Sequence, residues 1–160
     1  MDKTTFSREV QARERSLYRI AVSILRHDAD AADAVQDALL TAWEKRHTLR
    51  EPQHFGTWLT RILINRCKQR LRRRRPQQQL DDGLQAVLPD TTEGLALRLA
   101  LEQLDSAHRI PLLLYHLDGY SVQEVARILR LPQGTVKSRL ARGRAKLKDL
   151  LEEQEVLSRA

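Results

Sequence analysis

The stretch that decides the fold is residues 118–148, DGYSVQEVARILRLPQGTVKSRLARGRAKLK. Ser121 and Glu124 form an S-x-x-E capping box, which predicts that a helix begins there. Pro132 ends this helix, because the residue before a proline avoids the helical region. Arg130 stands in the turn where glycine is favoured for its positive φ. The pattern predicts a helix-turn-helix.

The second helix of this motif is predicted to run over residues 133–148. Its apolar positions Val136, Leu140 and Leu147 face inward. A helix of this size fits the major groove of DNA, and its basic side chains reach phosphates and guanine edges. The basic residues on the outward face are Lys137, Arg139, Arg142, Arg144, Lys146 and Lys148. The simpler alternative is a solvated basic helix on an ordinary helical domain, but the capped helix and tight turn before it favour DNA binding.

The charge of the chain indicates a polyanionic partner. The 160 residues carry 28 basic and 21 acidic side chains, a net charge of +7 with a pI of about 10.1. Residues 1–76 hold 17 basic and 9 acidic groups, residues 77–97 hold 4 acidic groups and no basic one, and residues 98–160 hold 11 and 8. Two basic blocks joined by an acidic segment fit nucleic acid, or an acidic protein or membrane surface.

Several classes of protein are disfavoured by composition. Cys67 is the single cysteine, which leaves no disulfide framework and no cysteine-based zinc site; we read it as a small apolar residue. No apolar run approaches the length of a membrane span, and the polar N-terminus shows no secretory signal. The five histidines are scattered without a carboxylate cluster, so we expect no metal, no cofactor and no small-molecule substrate. The chain is expected to be cytoplasmic and not an enzyme.

Apolar periodicity predicts three helices before the acidic segment, over residues 5–26, 30–45 and 55–75. Asp28 or Asp30 is expected to cap the second helix. The acids of that helix have two interpretations, either a favourable charge at a helix N-terminus or a docking face for a partner protein. In the third helix, apolar spacing places the aromatic residues in the core, and basic groups with amides on the outer face suit an opened DNA strand.

The domain organisation follows from the segments that interrupt the helical pattern. The expected parts are an N-terminal helical domain 1–76, an acidic, Gln-rich linker 77–97 and a C-terminal domain 98–160. Pro111 predicts a kink or a restart within the last domain, and Asp118-Gly119 is its helix stop before the helix-turn-helix. After residue 148 we expect a short acidic tail. The predicted fold class is all-α, with two small helical domains joined by a flexible linker.

Three segments in order resemble the extracytoplasmic-function (group IV) sigma factors of bacterial RNA polymerase. DAADAVQDALLTAWEK is similar to their polymerase-binding segment, and FGTWLTRILINRCKQRLRRR to the segment for the upstream decamer. LDGYSVQEVARILRLPQGTVKSRLARGRAKL resembles their C-terminal helix-turn-helix, with G-T-V-K-S-R-L as the strongest match. The resemblance covers about residues 15–155.

The resemblance implies partners and site residues. The partners are core RNA polymerase, promoter DNA and an anti-sigma factor. The residues implied for core polymerase binding are Asp30, Asp33, Val35, Gln36 and Asp37. Those implied for the −10 element, including a loop that reads a flipped base, are Arg50, Phe55, Arg61, Asn65, Arg66, Lys68, Gln69 and Arg72. Those implied for the −35 element are Gln133, Thr135, Lys137, Ser138, Arg139, Ala141, Arg142 and Lys146.

Two other functions fit parts of the sequence. A free-standing helix-turn-helix regulator needs only the C-terminal half, and the basic helix at 55–75 with the acidic linker argues against it. A nuclease-type enzyme needs a metal-binding carboxylate cluster, which the sequence does not show. The sequence therefore favours a sigma factor, which directs polymerase to promoters and assists melting.

Overall fold

A computed structural model describes residues 1–74 and 92–159, and both ranges are helical throughout apart from short turns, with no strand. The chain also contains two single 3₁₀ turns, Arg46–Thr48 and Pro52–His54, and a π-helical segment, Leu113–Leu117. The α-helices are α1 Lys3–Gln11, α2 Glu14–Leu25, α3 Asp28–Glu44, α4 Phe55–Arg73, α5 Thr92–Gln103, α6 Ser106–Leu112, α7 Val122–Leu129 and α8 Gln133–Arg159.

The helices form two bundles, α1–α4 and α5–α8. In the first, α2, α3 and α4 pack on one another, and in the second α8 packs on α5, α6 and α7. The bundles also touch, because α7 lies on α4 and α6 lies on α2. Buried apolar side chains run continuously from one bundle to the other. The all-α fold with two helical domains is therefore confirmed.

The single helix expected over residues 5–26 is wrong, because the chain breaks at Arg13 into α1 and α2. A straight helix would place the charged Arg13 seven residues after Phe6, on the same buried face. The break lets α1 turn and bury Phe6. Its ring meets the ring of Trp43 edge-on at 5.1 Å between centroids and that of Phe55 at 5.7 Å.

The cap of α3 also differs from expectation. His27 occupies the N-cap with extended backbone, and its Nδ1 accepts a hydrogen bond from the backbone N–H of Asp30 at 3.2 Å. Asp28 and Asp30 instead lie in the first turn, where the partial positive charge of the helix N-terminus stabilises carboxylates. Asp28 and Asp30 are therefore not the cap.

The predicted linker 77–97 lies largely outside the described residues, as do Arg75 and Pro76. Its last part was wrong, because α5 already begins at Thr92. Leu97 packs against the core, and the buried Ala100, Leu101 and Leu104 continue its face. The apolar period therefore starts earlier than the acidic composition suggested.

Pro111 lies inside α6 and not at the start of a helix. The new helix begins before it, at Ser106. Proline lacks the N–H that would bond the carbonyl four residues back. The predicted interruption takes the form of π-helical bonding from Leu113 onward. Gly119, with φ +74°, ends this segment as predicted, and the Tyr120 N–H donates to the Leu114 carbonyl at 3.0 Å.

The acidic tail expected after residue 148 is helical, since α8 continues to Arg159. The packing of α8 on α6 depends on Gly143, which sequence reasoning did not single out. A Cβ at this glycine would lie 3.0 Å from the Leu112 side chain. The missing side chain lets the two helices approach closely.

Candidate nucleic-acid interface

The helix-turn-helix has the caps that its sequence predicts. The Ser121 hydroxyl accepts from the Glu124 N–H at 3.1 Å, and the Glu124 carboxylate accepts from the Ser121 N–H at 3.1 Å. Arg130 adopts φ +56° in the turn, although it carries a side chain. Val136 and Leu140 are buried and fix the rotation of α8 about its axis. The opposite side of α8 therefore faces solvent.

The exposed side of α8 carries the residues expected to read DNA. Thr135 and Arg139 are half-buried, and the exposed members of the set are Gln133, Lys137, Ser138, Ala141, Arg142 and Lys146. Within residues 1–74 and 92–159, Lys137, Arg139 and Arg142 form no hydrogen bond or ion pair with the protein. Their charges are available to a phosphate or a base edge.

Two basic residues of α8 lie apart from this group. Lys146 lines a cleft beside Asp105 and Asp149 at the α5 end of the bundle. Arg144 donates to Nε2 of His116 at 3.1 Å and lies 5.6 Å from the Tyr115 ring centroid. Burial, and then the Arg144 charge, lower the pKa of His116. Arg144 therefore links α8 to the π-helical segment.

The outer face of α4 carries the residues expected at the −10 element. Asn65, Lys68, Gln69 and Arg72 are exposed. Arg66 is half-buried and donates to the Thr41 hydroxyl at 2.8 Å and to the Gln69 amide oxygen at 3.1 Å. Arg66 therefore ties α4 to α3 and orients an amide that is expected to face DNA.

Arg61 and Arg50 differ in accessibility. Arg50 is exposed in the short connection between the two 3₁₀ turns. Arg61 is half-buried, and its Nε is buried without a hydrogen-bond partner among the described residues. Burial, and then the charge of Arg130 on the helix-turn-helix, lower the pKa of Arg61. Arg61 therefore lies at the contact between the two bundles.

Phe55 cannot stack on a flipped base in this arrangement, because its side chain is 0% exposed. Its ring lies 5.8 Å from that of Trp58, and the guanidinium of Arg13 lies 5.4 Å from its centroid. Phe55 is a core residue, as the apolar spacing predicts, and its ring is not available to DNA in this arrangement.

The acidic face of α3 is paired with arginines of α4. Arg70 reaches Asp37 at 3.1 Å, Asp33 at 3.9 Å and Asp30 at 4.0 Å, measured between guanidinium nitrogen and carboxylate oxygen. Arg74 reaches Asp30 at 3.4 Å and donates to the Leu25 carbonyl at 2.7 Å. Sequence reasoning missed both arginines, because the pairing depends on how α3 packs on α4.

The other members of the acidic set divide by burial. Gln36 is exposed, as are Asp33 and Asp37. Val35 is only 9% exposed and packs in the core. Its expected contact with polymerase is not available to its side chain in this arrangement.

Cys67 and the histidines show no metal chemistry in the described part of the chain, where no group of three or more His, Cys, Asp or Glu side chains could hold an ion. Burial raises the pKa of the Cys67 thiol to about 12. A protonated, buried thiol behaves as a small apolar side chain.

No described helix has the length and hydrophobicity required to cross a bilayer.

Two family models match the chain. The model described as sigma-70 region 2 matches residues 10–77, which include α2 to α4, and the model described as sigma-70, region 4 matches residues 94–147, which include the helix-turn-helix. The two bundles are thus of the classes found together in sigma-70-type proteins, which regulate transcription initiation and are generally not enzymes.

Curated relatives narrow the class. The chain is 36% identical over 155 residues to the ECF RNA polymerase sigma factor SigM of Mycobacterium tuberculosis, with 94% of this chain and 79% of that one covered. It is 30% identical over 169 residues to the ECF RNA polymerase sigma factor SigW of Bacillus subtilis, with 94% and 90% covered. The chain belongs to the extracytoplasmic-function (ECF) RNA polymerase sigma factors.

Solved structures show the same arrangement of helices. One is the sigma factor RpoE in complex with the anti-sigma factor NepR from Bartonella quintana, at TM-score 0.74 and 26% identity over 92% of this chain and 96% of that one. Another is CnrH in complex with the cytosolic domain of CnrY, at TM-score 0.73 and 29% identity over 95% and 90%.

Proposed function

We propose that this sigma factor uses α8 to read the −35 element and α4 to bind the opened −10 element, with α3 docking on core RNA polymerase. The domains are then residues 1–76 for polymerase and −10 binding, and a second domain for −35 binding that begins with α5 at Thr92. The observation that supports this assignment most strongly is the pair of solvent-facing basic helix faces, one in each bundle, each within a different sigma-70 region.

For the −35 element, the exposed side of α8 offers complementary chemistry. Lys137 and Arg142 are exposed cations without a partner among the residues that the structure describes, and Ser138 and Gln133 supply polar groups that reach base edges. A helix in the major groove distinguishes all four base pairs through such contacts. Ala141 lies between them and provides an apolar contact for a thymine methyl group.

For the −10 element, α4 offers amides beside cations. Asn65 and Gln69 hydrogen-bond the edge of an unstacked base, and Lys68 and Arg72 hold the phosphates. Arg50, in the connection before α4, adds a further cation. These contacts offset a few kcal/mol for each base that leaves the stack.

For core polymerase, the exposed part of α3 is the docking face. Asp33, Gln36 and Asp37 point away from the bundle, and Val35 holds the helix in the core from the other side. A basic surface on the polymerase competes with Arg70 for the two aspartates. Because exposed ion pairs contribute about 0–1 kcal/mol each, this exchange is readily reversible.

We further infer an anti-sigma partner, since the sigma factor RpoE from Bartonella quintana, which shares this fold, binds the anti-sigma factor NepR. The protein acts in the cytoplasm, where core polymerase is found, and it catalyses no reaction of its own. No small-molecule substrate, metal or cofactor enters this mechanism.

Run-off transcription with purified bacterial core polymerase on a pool of genomic promoter fragments tests the proposal. Discrete transcripts that depend on this protein are expected. Replacing Asn65 and Lys68 together by alanine should abolish open complexes while leaving core binding intact. The matched control Lys45→Ala removes an exposed lysine from the end of α3 and should leave transcription unchanged. Unaltered open-complex formation in the double variant would refute the −10 role of α4.

A further inference from the structure

Two arginines from different bundles come together where the turn of the helix-turn-helix lies near α4. Arg61 belongs to α4, and Arg130 lies in the turn after α7, the helix that packs on α4. Burial lowers the pKa of Arg61, and the nearby charge of Arg130 lowers it further. No carboxylate of a described residue offsets these two effects. The junction between α4 and the turn therefore carries two positive charges close together.

The guanidinium of Arg61 also lacks a hydrogen-bond acceptor. Its Nε is buried without a partner in the part of the chain that the structure describes. Arg109 shows how a buried arginine is normally satisfied, because its Nε donates to the Ser23 carbonyl at 3.0 Å and its Nη1 to the Leu104 carbonyl at 2.8 Å. A buried donor on a charged group destabilises the fold when it stays unpaired. Arg61 therefore calls for an acceptor that the described residues do not supply.

The carboxylate present at this contact is already engaged. Glu124 of α7 accepts from the Ser121 N–H at 3.1 Å and from the Thr57 hydroxyl of α4 at 3.4 Å. Within the described ranges, neither Arg61 nor Arg130 forms an ion pair with it or with another carboxylate. The charges of both arginines are thus left without compensation by these parts of the protein.

The backbone of Arg130 adds a strain that glycine would avoid. Its φ of +56° lies in the left-handed region, which is unfavourable for a residue with a side chain and which glycine adopts freely. The turn itself uses the backbone, since the Leu131 N–H donates to the Ala126 carbonyl at 3.0 Å. Arg130 is exposed, so solvent reaches the outer side of the junction. A role for its side chain would account for an arginine at a position that favours glycine.

A tetrahedral oxyanion has the chemistry that the junction lacks. Phosphate carries negative charge and several acceptor oxygens, and guanidinium groups bind it through paired, charge-assisted hydrogen bonds. One oxygen can accept from the buried Nε of Arg61 while the others accept from Arg130. A free ion can enter between two packed elements, whereas a phosphate of a DNA strand brings its sugars and neighbouring nucleotides with it. The geometry therefore favours a small, free anion.

We propose that Arg61 and Arg130 together bind one free oxyanion of the phosphate class, with one guanidinium supplied by each bundle. The anion neutralises the two neighbouring charges and provides the acceptor for the Nε of Arg61. While it is bound, it withholds Arg61 from DNA. This consequence for DNA rests on the proposed −10 role of α4, whereas binding of the anion does not.

The experiment measures urea unfolding of the full chain in increasing concentrations of inorganic phosphate, with chloride added to keep the ionic strength constant. A ligand that binds only the folded state stabilises it by mass action. The folding equilibrium constant should therefore rise about tenfold for each tenfold increase in phosphate above its dissociation constant. Phosphate also stabilises proteins in general, because it is excluded from their surfaces. Variants of the two arginines separate the specific part of the response from this general part.

The test variants are Arg61→Gln and Arg130→Gly, each of which removes one guanidinium and should abolish the specific response. Without phosphate, Arg130→Gly should be at least as stable as the unaltered protein, because it removes the strained φ and the repulsion. In saturating phosphate the unaltered protein should be the more stable of the two, an inversion that a purely structural arginine would not produce. The matched control Arg127→Gln changes an exposed arginine of α7 and should respond like the unaltered protein.

A phosphorus NMR titration of inorganic phosphate counts the bound ions, and one saturable site per chain is expected that both test variants lose. Equal phosphate responses in the unaltered protein, the test variants and the control would overturn the proposal. A second titration uses a single-stranded oligonucleotide of unrelated sequence in place of phosphate. A response of Arg61 and Arg130 confined to the oligonucleotide would overturn the free ion and assign the site to a DNA phosphate. Run-off transcription in phosphate-free buffer tests the sigma function separately, so failure of the anion site and failure of the proposed function are distinguishable.

Discussion

The two basic helices, α4 and α8, carry similar charge but use it differently. On α4, three arginines bind the α2–α3 region: Arg66 binds Thr41, Arg70 binds Asp37, and Arg74 binds Asp30 and the Leu25 carbonyl. On the −35 face of α8, none of the cations Lys137, Arg139 and Arg142 contacts the protein within the described ranges. Arginines on α4 therefore help to stabilise the fold, whereas the three cations on the −35 face of α8 are available to a ligand.

This difference teaches that a run of basic residues does not by itself mark a DNA-binding surface. In α4, the exposed residues proposed to contact DNA are Asn65, Lys68, Gln69 and Arg72, and they are interleaved with arginines bound to their own bundle. In α8 the burial of Val136 and Leu140 alone decides which side is presented. Substitutions on the two helices should therefore separate into effects on stability and effects on DNA binding.

The largest effect is expected from Arg109→Met. Arg109 of α6 is 4% exposed and donates to the Ser23 carbonyl of α2 at 2.7 Å and to the Leu104 carbonyl at 2.8 Å, so it joins the two bundles. The change keeps the length of the side chain but leaves the buried Ser23 and Leu104 carbonyls without donors, at a cost of about 3 kcal/mol in the free energy of unfolding. Urea unfolding measures it. The control Arg127→Met alters an exposed arginine of α7 and should cost under about 0.5 kcal/mol. Equal stability of the two variants would contradict the buried role of Arg109.

The next effect sharpens the comparison from the side of α8. Lys137→Ala with Arg142→Ala should weaken promoter binding by the holoenzyme by about 2 kcal/mol, roughly 30-fold, and reduce its salt dependence. The free energy of unfolding should change by less than about 0.5 kcal/mol. Filter binding at several salt concentrations and urea unfolding measure the two quantities. A large loss of stability with unchanged DNA binding would reverse the assignment.

Alkaline pH tests how deeply the inner face of α4 is buried. The thiol of Cys67 has its pKa raised from 9.0 to about 12 by burial. Below pH 9.0 the thiol keeps its proton in both states. Above it the unfolded thiol ionises first, so the folded state should lose about 1 kcal/mol of stability per pH unit up to about pH 12.

Urea unfolding at pH 8, 9 and 10 measures this loss against Cys67→Ala, which has no thiol to ionise. The wild-type protein should lose stability more steeply than the variant above pH 9. Parallel curves for the two proteins would mean that the thiol of Cys67 is accessible to water in the native state.

The smallest expected effect compares neighbouring positions on α4. Arg70→Ala should lower the free energy of unfolding by about 0.5–1 kcal/mol, because its ion pairs with α3 are partly exposed. Lys68→Ala, two residues earlier, should leave stability unchanged and lower open-complex formation. Thermal unfolding and a permanganate assay of melted bases measure the two properties. Identical behaviour of the two variants would contradict the assignment of Arg70 to stability and of Lys68 to DNA binding.

Local features of the fold were predictable from the sequence. The capping box at Ser121, the positive φ at Arg130 and Gly119, and the inward face of α8 each depend on residues within one or two turns. The break at Arg13 was not predicted, because the apolar periodicity on both sides of it is helical and the burial of Phe6 depends on packing against Trp43 and Phe55. The cap at His27 is harder to predict, since histidine is an uncommon N-cap residue.

Contacts between distant parts of the chain were not predictable in this way. Asp118 carries a helix-stop signal in the sequence, and nothing local indicates that its carboxylate binds Ser16 and Arg19 about a hundred residues away. Arg109 and Arg70 likewise lie among many similar arginines. Phe55 shows the converse, because family position suggested a DNA contact where the apolar spacing indicated core.

The central claim is that α4 and α8 of one molecule bind two separate promoter elements. Footprinting of the holoenzyme on a promoter found by run-off transcription tests it most directly. The account predicts two protected segments about 25 base pairs apart, with the upstream one lost in the Lys137 and Arg142 double variant and the melted one lost in the Asn65 and Lys68 double variant. A single symmetric footprint formed without polymerase and sensitive only to the α8 substitutions would contradict it.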